Sequence, residues 1–283
     1  MHLKFYGTAA AEGVPGMFCT CPVCANARKL GGKDIRTRSQ ALVDGKLLID
    51  FPPDTYLHAL HGGLDLPSIT ALLLTHSHGD HLYPKDLEMR QAGYAHVGEY
   101  GTVFREPLRI YATTQAMKAI RTEEFTAKLE ANNIVQLHEI LPFQPFEVDD
   151  FSITAVTAKH DPESGPVCWI IARGGKTMLY GNDTGFFPAE TWDCFANTKP
   201  QFDFVALDCT GMDRKSYRGS HHMSLELNAQ VRDRMAELGC IDEDTILCAH
   251  HFSHNGGLNH EALVKHAENY GFIVSYDGME IEF

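Results

Sequence analysis

The stretch Thr75-His76-Ser77-His78-Gly79-Asp80-His81 follows the apolar run Ala71-Leu72-Leu73-Leu74 and contains four potential metal ligands within six residues. The apolar run predicts a buried strand, so the ligands are expected in the loop at its end. Three imidazoles and a carboxylate are poor core residues, because buried polar groups need partners. Loops at the ends of rigid strands often carry chemistry, and we interpret this one as a metal site. The alternative is a solvated histidine-rich turn.

The spacing of these ligands suits two metal ions. His76 and His78 are two residues apart in an extended loop and can point the same way. Asp80 and His81 are expected in the first turn of a following helix, where they face a second point. Zn, Mn and Fe accept imidazole nitrogen together with carboxylate oxygen. A pair of such cations can activate water and stabilise the attacking and leaving oxygens of a displacement.

Four local ligands cannot complete two coordination spheres, so others must come from later strand ends. His160, Asp183 and the pair His250-His251 each follow an apolar run that predicts a strand. Taken singly, each of these residues could have a structural role without a metal, because a lone histidine is usually hydrogen-bonded and Asp-Thr-Gly is a common turn. Together, after a four-ligand cluster, they predict ligation.

The composition limits the class of protein. With 283 residues and 44% hydrophobic content, the chain can bury a sizeable core. A net charge of -13 argues against sequence-independent nucleic-acid binding, which needs clustered Lys and Arg. No apolar run approaches the length that spans a bilayer, and the start of the chain does not resemble a signal sequence, so we expect a cytoplasmic protein.

Three of the eight cysteines, Cys19, Cys21 and Cys24, form a C-x-C-x-x-C pattern that is typical of a metal site. The others stand singly beside apolar residues and are predicted to be buried thiols.

Strand-like and helix-like runs alternate without a break in composition, which predicts a single α/β domain over residues 1–283. Asp44-Gly45 predicts a two-residue type I′ hairpin turn between two of the strands. Helices are predicted at 53–60, 114–131, 224–238 and 260–270, and strands at 3–7, 40–43, 46–51, 69–74, 108–112, 134–137, 151–157, 167–172, 177–180, 204–207, 245–249, 273–276 and 279–283. The segments 94–107 and 211–220 are expected near the mouth of the site, the first as a flap.

The pattern His-x-His-x-Asp-His, followed by His, Asp and His at later strand ends, resembles the metallo-β-lactamase superfamily. This resemblance implies a four-layer αββα sandwich with the metals at one edge of two sheets. Asp50 matches an aspartate that braces the ligand loop. By the same resemblance, one metal is held by His76, His78 and His160, the second by Asp80, His81 and His251, and Asp183 bridges the two.

A narrower resemblance is to the PhnP family, the phosphodiesterases of the carbon-phosphorus lyase pathway. It is carried by Gly7-Thr8, Glu12-Gly13-Val14-Pro15, the three cysteines, His251-x-x-His254 and Asp277-Gly278-Met279-Glu280-Ile281. It implies a closed, structural zinc site made by Cys19, Cys21, Cys24 and His254. It also implies that His222, with His221 as the alternative, acts on the phosphate. The predicted catalytic residues are His222 and Asp80. The mundane alternative for His222 is a histidine at a helix start with no catalytic role.

These features predict a phosphodiesterase with a dinuclear Zn or Mn centre and one structural Zn, acting on a small cyclic phosphodiester such as a ribosyl cyclic phosphate. The alternatives are a thioesterase, a lactamase or an RNA-processing nuclease of the same fold, although no basic arm for RNA is evident. A redox di-iron protein is disfavoured, because that branch has Glu where His78 stands. A metal-stabilised scaffold without activity is a further alternative. The expected partner is the small-molecule substrate, with nucleic acid and membranes not expected and a homodimer left open.

Overall fold

The computed structural model describes residues 1–96, 106–215 and 221–283. Within these ranges, two mixed sheets of seven strands each face one another. The spatial order of the first sheet is β14 (Glu280–Glu282), β1 (His2–Gly7), β2 (Gln40–Val43), β3 (Leu47–Ile49), β4 (Ala71–Leu73), β5 (Leu108–Ala112) and β6 (Val135–Glu139). In this sheet, β3 to β6 are parallel and the remaining neighbours are antiparallel.

The second sheet is antiparallel at one side and parallel at the other. Its spatial order is β13 (Ile273–Val274), β12 (Ile246–His250), β11 (Phe204–Asp208), β10 (Lys176–Gly181), β9 (Val167–Arg173), β8 (Phe151–Thr157) and β7 (Phe146–Val148). Strands β7 to β10 pair antiparallel, and β10 to β13 pair parallel.

Helices cover the outer faces of both sheets. The helices in the described ranges are α1 (Pro22–Leu30), α2 (Thr55–Gly62), α3 (Thr114–Arg121), α4 (Thr126–Ala131), α5 (Ala189–Thr198), α6 (Leu225–Leu238) and α7 (His260–Glu268). Met117, Ile120 and Leu129 pack α3 and α4 on the first sheet. Phe195 and Val231 belong to the cluster beneath α5, α6 and α7 on the second.

The inner core lies between the two sheets. It is built from large side chains that are almost fully buried, which drives the sheets together by removing apolar surface from water. They include Phe5 of the first sheet and Phe151, Trp169, Tyr180 and Phe204 of the second. The layer order is therefore helix, sheet, sheet, helix, which confirms the predicted four-layer αββα sandwich.

The predicted turn at Asp44-Gly45 is present. Both residues have positive φ, 48° and 68°, and the Lys46 N–H donates to the Val43 carbonyl at 3.1 Å, as in a type I′ turn. The strands pair from Val43 to Leu47, so Lys46 is an additional loop residue.

The single helix predicted over 114–131 is wrong, because the structure has two helices there. The Ile120 carbonyl accepts a hydrogen bond from the Thr126 hydroxyl at 2.7 Å, and the Thr126 N–H donates to the Glu123 carbonyl at 3.0 Å. These bonds redirect the chain at the end of α3, so that Leu129 of α4 can also reach the core.

The helix predicted to begin at Asp80-His81 is also absent. These residues lie in a turn, and a 3-10 helix begins only at Pro84 and runs to Arg90. Proline disfavours helical backbone at the residue before it, which explains why no helix passes through Tyr83.

The two segments expected near the mouth lie partly outside the described residues, which exclude 97–105 and 216–220. No helix in the described ranges is long and apolar enough to cross a membrane.

Candidate metal centre

The first ligand cluster joins the end of β4 to the end of β8. His76 is fully buried, and its Nε2 lies 3.4 Å from Asp183 Oδ2 without a hydrogen bond. His78 Nδ1 and His160 Nε2 are 3.1 Å apart. Two nitrogens bound to one tetrahedral zinc lie roughly 3.3 Å apart, since each bond is about 2.0–2.1 Å. The three rings therefore have the spacing of ligands to one ion.

The second cluster contains Asp80, His81, Asp183 and His251. His81 Nε2 lies 2.6 Å from Asp183 Oδ2, 3.3 Å from Asp80 Oδ2 and 3.3 Å from His251 Nε2. The Nδ1 atoms of both histidines face oxygen acceptors, those of Asp50 at 2.6 Å and Thr210 at 3.0 Å. With Nδ1 donating in each ring, both Nε2 lone pairs converge beside a carboxylate. A bound cation fits this arrangement.

Asp183 lies between the two clusters, in contact with His76 on one side and with His81 on the other. This is the position that a bridging carboxylate requires. All seven predicted ligands are thus brought into two adjacent groups: His76, His78 and His160 in one, and Asp80, His81, Asp183 and His251 in the other.

Backbone strain accompanies three of these strand ends. Asp50, Asp183 and His251 have φ values of 64°, 44° and 61°, in the left-handed region that side chains other than glycine rarely adopt. Such residues cost on the order of 1–3 kcal/mol each and cluster at functional sites. Here each one turns the chain sharply at the end of a strand, directing its side chain toward the centre.

Other side chains brace the ligands. Asp50 accepts hydrogen bonds from the Thr75 N–H at 2.8 Å and the Thr75 hydroxyl at 2.9 Å, in addition to His81 Nδ1. This matches the predicted bracing role. Asp161 Oδ2 lies 3.2 Å from His78 Nε2, on the ring nitrogen that faces away from His160. Such partners fix the orientation and tautomer of a metal-binding ring.

Asp208 is a member of the centre that the sequence analysis missed. It is fully buried at the end of β11, and its Oδ2 lies 2.9 Å from His222 Nδ1 and 3.4 Å from His251 Nδ1. The available signal was its position after the apolar run Phe204-Val205-Ala206-Leu207, the same pattern that led to Asp183.

The structure distinguishes His222 from His221. His222 Nδ1 lies 3.3 Å from Asp183 Oδ1. The His221 side chain is exposed, and its ring centroid lies 6.0 Å from that of His160, farther than the 5.0 Å of His222. His222, not the alternative His221, therefore has its ring against the centre.

The charges of the centre are strongly coupled. Burial alone would raise the pKa of Asp183, but His251 and His81 hold it well below its usual range. Burial also opposes ionisation of Asp208, yet His222 lowers its pKa to about 2. In turn, burial lowers the pKa of His222, but the Asp208 carboxylate outweighs it and raises the value to about 9. Burial lowers the pKa of His76 well below its usual value. Burial would also lower the pKa of His81, but the carboxylates of Asp50, Asp80 and Asp183 raise it well above that value, so an ion binding at His81 would displace a proton. Neutral imidazoles and ionised carboxylates are the forms that bind metal.

A separate cluster contains Cys19, Cys21, Cys24 and His254. The Cys19 and Cys21 sulfurs lie 3.6 and 3.4 Å from His254 Nδ1. Sulfur and nitrogen bound to one tetrahedral zinc lie roughly 3.6 Å apart. The ligand atoms of all four residues are within 4.8 Å of one another. We refer to these four residues as the clamp.

Backbone N–H groups support the clamp sulfurs. The Gly16 N–H donates to Cys24 Sγ at 3.2 Å, and the Cys24 N–H donates to Cys21 Sγ at 3.5 Å. The hydrogen bond from Cys24 lowers the pKa of Cys21 to about 6, while burial raises that of Cys24 to about 11. Three sulfurs and one nitrogen form a complete tetrahedral set, which is the donor set of a structural zinc site.

The family model of the β-lactamase superfamily domain matches residues 46–252, which include both His/Asp ligand clusters. The chain belongs to the metallo-β-lactamase superfamily. This confirms the resemblance inferred from the His-x-His-x-Asp-His pattern.

Solved structures of this superfamily share the fold. The zinc-bound PqqB of Methylobacterium extorquens has a TM-score of 0.76 at 20% identity, with full coverage of both chains. A diphosphatase of the PhnP family has a TM-score of 0.71 at 20% identity, covering 100% of this chain and 96% of the other. The short form of human tRNase Z has a TM-score of 0.63 at 18% identity, covering 100% and 99%.

Curated relatives of this superfamily protein have varied names. An octanoyltransferase of Porphyromonas gingivalis is 26% identical over 293 residues, covering 99% of this chain and 51% of that protein. A ribonuclease Z of a Picosynechococcus strain is 26% identical, covering 56% of this chain and 44% of the relative. The PQQ synthesis protein B of Methylobacterium nodulans is 31% identical, covering 51% and 48%. The chain spans about half the length of the curated relatives it matches.

Proposed function

We propose that this protein is a metal-dependent phosphodiesterase that hydrolyses a small cyclic phosphodiester, such as a ribosyl cyclic phosphate. The observation that carries the proposal is the Asp208–His222 pair beside the bridging carboxylate. His222 Nδ1 lies between Asp208 at 2.9 Å and Asp183 at 3.3 Å, and its ring centroid is 5.0 Å from that of His160. A proton donor is therefore positioned next to both ligand clusters.

The two metal positions fit divalent zinc or manganese, held by the two clusters with Asp183 between them. When bound, the ions supply Lewis-acid chemistry that polarises phosphoryl oxygens and lowers the pKa of a coordinated water. Asp208 engages His222 Nδ1, so the proton that His222 transfers to the leaving oxygen is the one on Nε2. Asp80, whose side chain is 12% exposed, is the second residue that we assign to catalysis: its carboxylate would help to hold the second ion and would orient the attacking water.

The choice of a phosphodiester over an acyl substrate rests on His222. A protonated imidazole can neutralise a leaving alkoxide or a phosphoryl charge, and His222 is held for this by a buried carboxylate. The names of the relatives point both ways: a ribonuclease and a diphosphatase act on phosphorus, whereas the octanoyltransferase is named for acyl transfer. The net charge of -13 favours a small substrate over RNA.

The test is hydrolysis of bis(p-nitrophenyl) phosphate and of a ribose cyclic phosphate by protein loaded with Zn or Mn, compared with p-nitrophenyl acetate and a thioester. We expect His78→Ala to abolish phosphodiester turnover, because it removes a ligand of the first cluster. His61→Ala is the matched control, since His61 is an exposed residue of α2. Activity that survives His78→Ala, or a preference for the acyl substrates, would refute the proposal.

A further inference from the structure

A chain of hydrogen bonds links the segment after β13 to the loop at the end of β3. Asp277 Oδ2 accepts the Thr37 N–H at 2.6 Å and lies 2.6 Å from the Thr37 hydroxyl. Asp277 Oδ1 accepts the Thr8 hydroxyl at 2.7 Å. The buried guanidinium of Arg36 donates to that same Thr8 hydroxyl at 2.8 Å.

The chain continues through His58 and Gln40. His58, only 4% exposed on α2, places Nε2 at 2.7 Å from the Thr37 hydroxyl and Nδ1 at 2.6 Å from Gln40 Oε1. The Gln40 amide is fully buried and donates to the Asp50 carbonyl at 2.9 Å. Asp50 is the residue whose carboxylate orients His81.

The positions of the protons along this chain are constrained. The Thr55 hydroxyl donates to the Pro52 carbonyl at 2.7 Å, so it accepts from Gln40 Nε2 at 3.0 Å. This fixes the Gln40 amide with Oε1 toward His58, and Nδ1 of His58 must therefore carry a proton.

The Thr37 hydroxyl has one hydrogen for two close partners, His58 Nε2 at 2.7 Å and Asp277 Oδ2 at 2.6 Å. The Tyr6 carbonyl is a third and weaker acceptor at 3.4 Å. Either His58 carries a second proton or Asp277 is protonated. In both cases the pair holds one proton more than a neutral imidazole with a free carboxylate. Burial lowers the pKa of His58 to about 4 and raises that of Asp277, which favours the uncharged pair.

We propose that His58 and Thr37 are positioning residues for the metal ligand His81, acting through Gln40 and Asp50. The Asp50 backbone has a φ of 64°. Its carbonyl accepts a hydrogen bond from the Gln40 side chain, and its N–H donates to the Leu73 carbonyl at 2.8 Å, so the peptide groups on both sides of Asp50 are fixed. The chain holds this left-handed turn, so the Asp50 carboxylate stays aimed at His81 Nδ1. This inference rests on the metal centre of the proposed function but not on its substrate.

The test measures metal binding separately from turnover. Metal-free protein is titrated with Zn²⁺ or Mn²⁺, and bound ions are counted at fixed free metal. Thr37→Val removes the hydroxyl at nearly constant side-chain shape. In this variant we expect the metal ion held by His81 to bind about 10–100-fold more weakly. Thr37→Ser restores the hydroxyl and is expected to restore the affinity.

The matched control is Thr245→Val. The Thr245 hydroxyl also makes a side-chain-to-backbone bond, to the Phe202 carbonyl at 2.8 Å, but it precedes β12 at the end away from the ligands. If Thr37→Val lowers the melting temperature like Thr245→Val yet binds metal like the wild type, the chain is only structural and the inference is refuted.

Nitrogen NMR of the His58 ring, assigned with His58→Gln, gives an independent readout. We expect a protonated Nδ1, and a ring protonated only at Nε2 would overturn the inference. Wild-type protein that binds no ion at the catalytic clusters would overturn both this inference and the proposed function. Normal wild-type binding with an unaffected Thr37→Val would overturn the inference alone.

Discussion

Asp208 connects His222 to the metal centre through contacts made by a single carboxylate. Its Oδ1 accepts the N–H groups of Thr210 at 3.0 Å and Met223 at 2.9 Å, while Oδ2 faces His222. The two backbone bonds fix the carboxylate, so the imidazole has one defined orientation. Because the carboxylate is fully buried, its interaction with His222 is less screened than a surface pair.

We predict that Asp208→Asn lowers kcat for a phosphodiester by about 10–100-fold. The N–H groups of Thr210 and Met223 would hold the amide oxygen of the asparagine, so its NH2 group, which cannot accept a hydrogen bond, would face His222 Nδ1. Turnover is measured at saturating metal, with bound ions counted in parallel.

The double variant Asp208→Asn/His222→Asn is the decisive comparison. When two residues act together in catalysis, the losses in kcat caused by substituting each of them are not additive. We therefore expect the double variant to be about as impaired as His222→Asn alone. Fully additive losses in kcat would contradict a shared role.

At the level of elements, the segment from His251 to His254 joins the candidate metal centre to the clamp. The Phe252 N–H donates to the Thr8 carbonyl at 2.9 Å, and the Ala10 N–H donates to the Phe252 carbonyl at 3.0 Å. The segment is thus paired with the loop that leads to the clamp cysteines.

We predict that Cys24→Ser removes one bound zinc and destabilises the fold. Loss of a bound metal is among the few mechanisms that cost more than about 4 kcal/mol. At roughly 2–4 °C per kcal/mol for a large domain, the melting temperature should fall by about 8 °C or more. The measurements are zinc content and thermal unfolding.

Cys194→Ser is the control for this prediction, because Cys194 lies in α5, away from the clamp. It should keep its zinc content. A Cys24→Ser protein with unchanged zinc content would show that the clamp holds no ion.

The elements that end at the site also show which of its residues could be predicted from the sequence. The strand before His76 and the strands before Asp183 and His251 are local apolar runs, so the ligands at their ends were recognisable. The break between α3 and α4 was not, because it depends on the Thr126 hydroxyl reaching the Ile120 carbonyl. Asp208 follows an apolar run as Asp183 does, but its role depends on His222, which becomes adjacent only in the folded chain.

On the scale of the whole molecule, the two sheets are joined at one edge by the ligand side chains and at the opposite edge by ion pairs between arginine and aspartate. At one edge, ligands that follow β4 meet ligands that follow β8, β10 and β12. At the other edge, Arg109 at the base of β5 pairs with Asp149 at 2.9 Å. There too, Arg173 of β9 bonds Asp44 of the first sheet at 2.7 Å and Asp150 at 2.6 Å. The arginines therefore hold together the edge that the metal ligands do not reach.

We predict that Arg173→Met destabilises the protein by about 1 kcal/mol at pH 7, the upper end of the range for partly exposed ion pairs. The methionine keeps an apolar stem over the Phe151 ring, where the guanidinium now lies 4.9 Å from the centroid. Lys265→Met, which removes an exposed pair within α7, is the control and should cost less.

The effect of Arg173→Met should depend on pH. Burial alone would raise the pKa of Asp44, but its bonds to Arg173 and to the His2 N–H lower it below the ordinary value. A carboxyl whose pKa is lower in the folded protein adds stability above its unfolded pKa of about 3.9, and that stability is lost as the pH falls through the folded value. The difference between wild type and variant should therefore be largest near pH 7 and shrink toward pH 3 in urea unfolding. A difference that stays constant over this range would mean that Arg173 stabilises the sheets through packing on Phe151 alone.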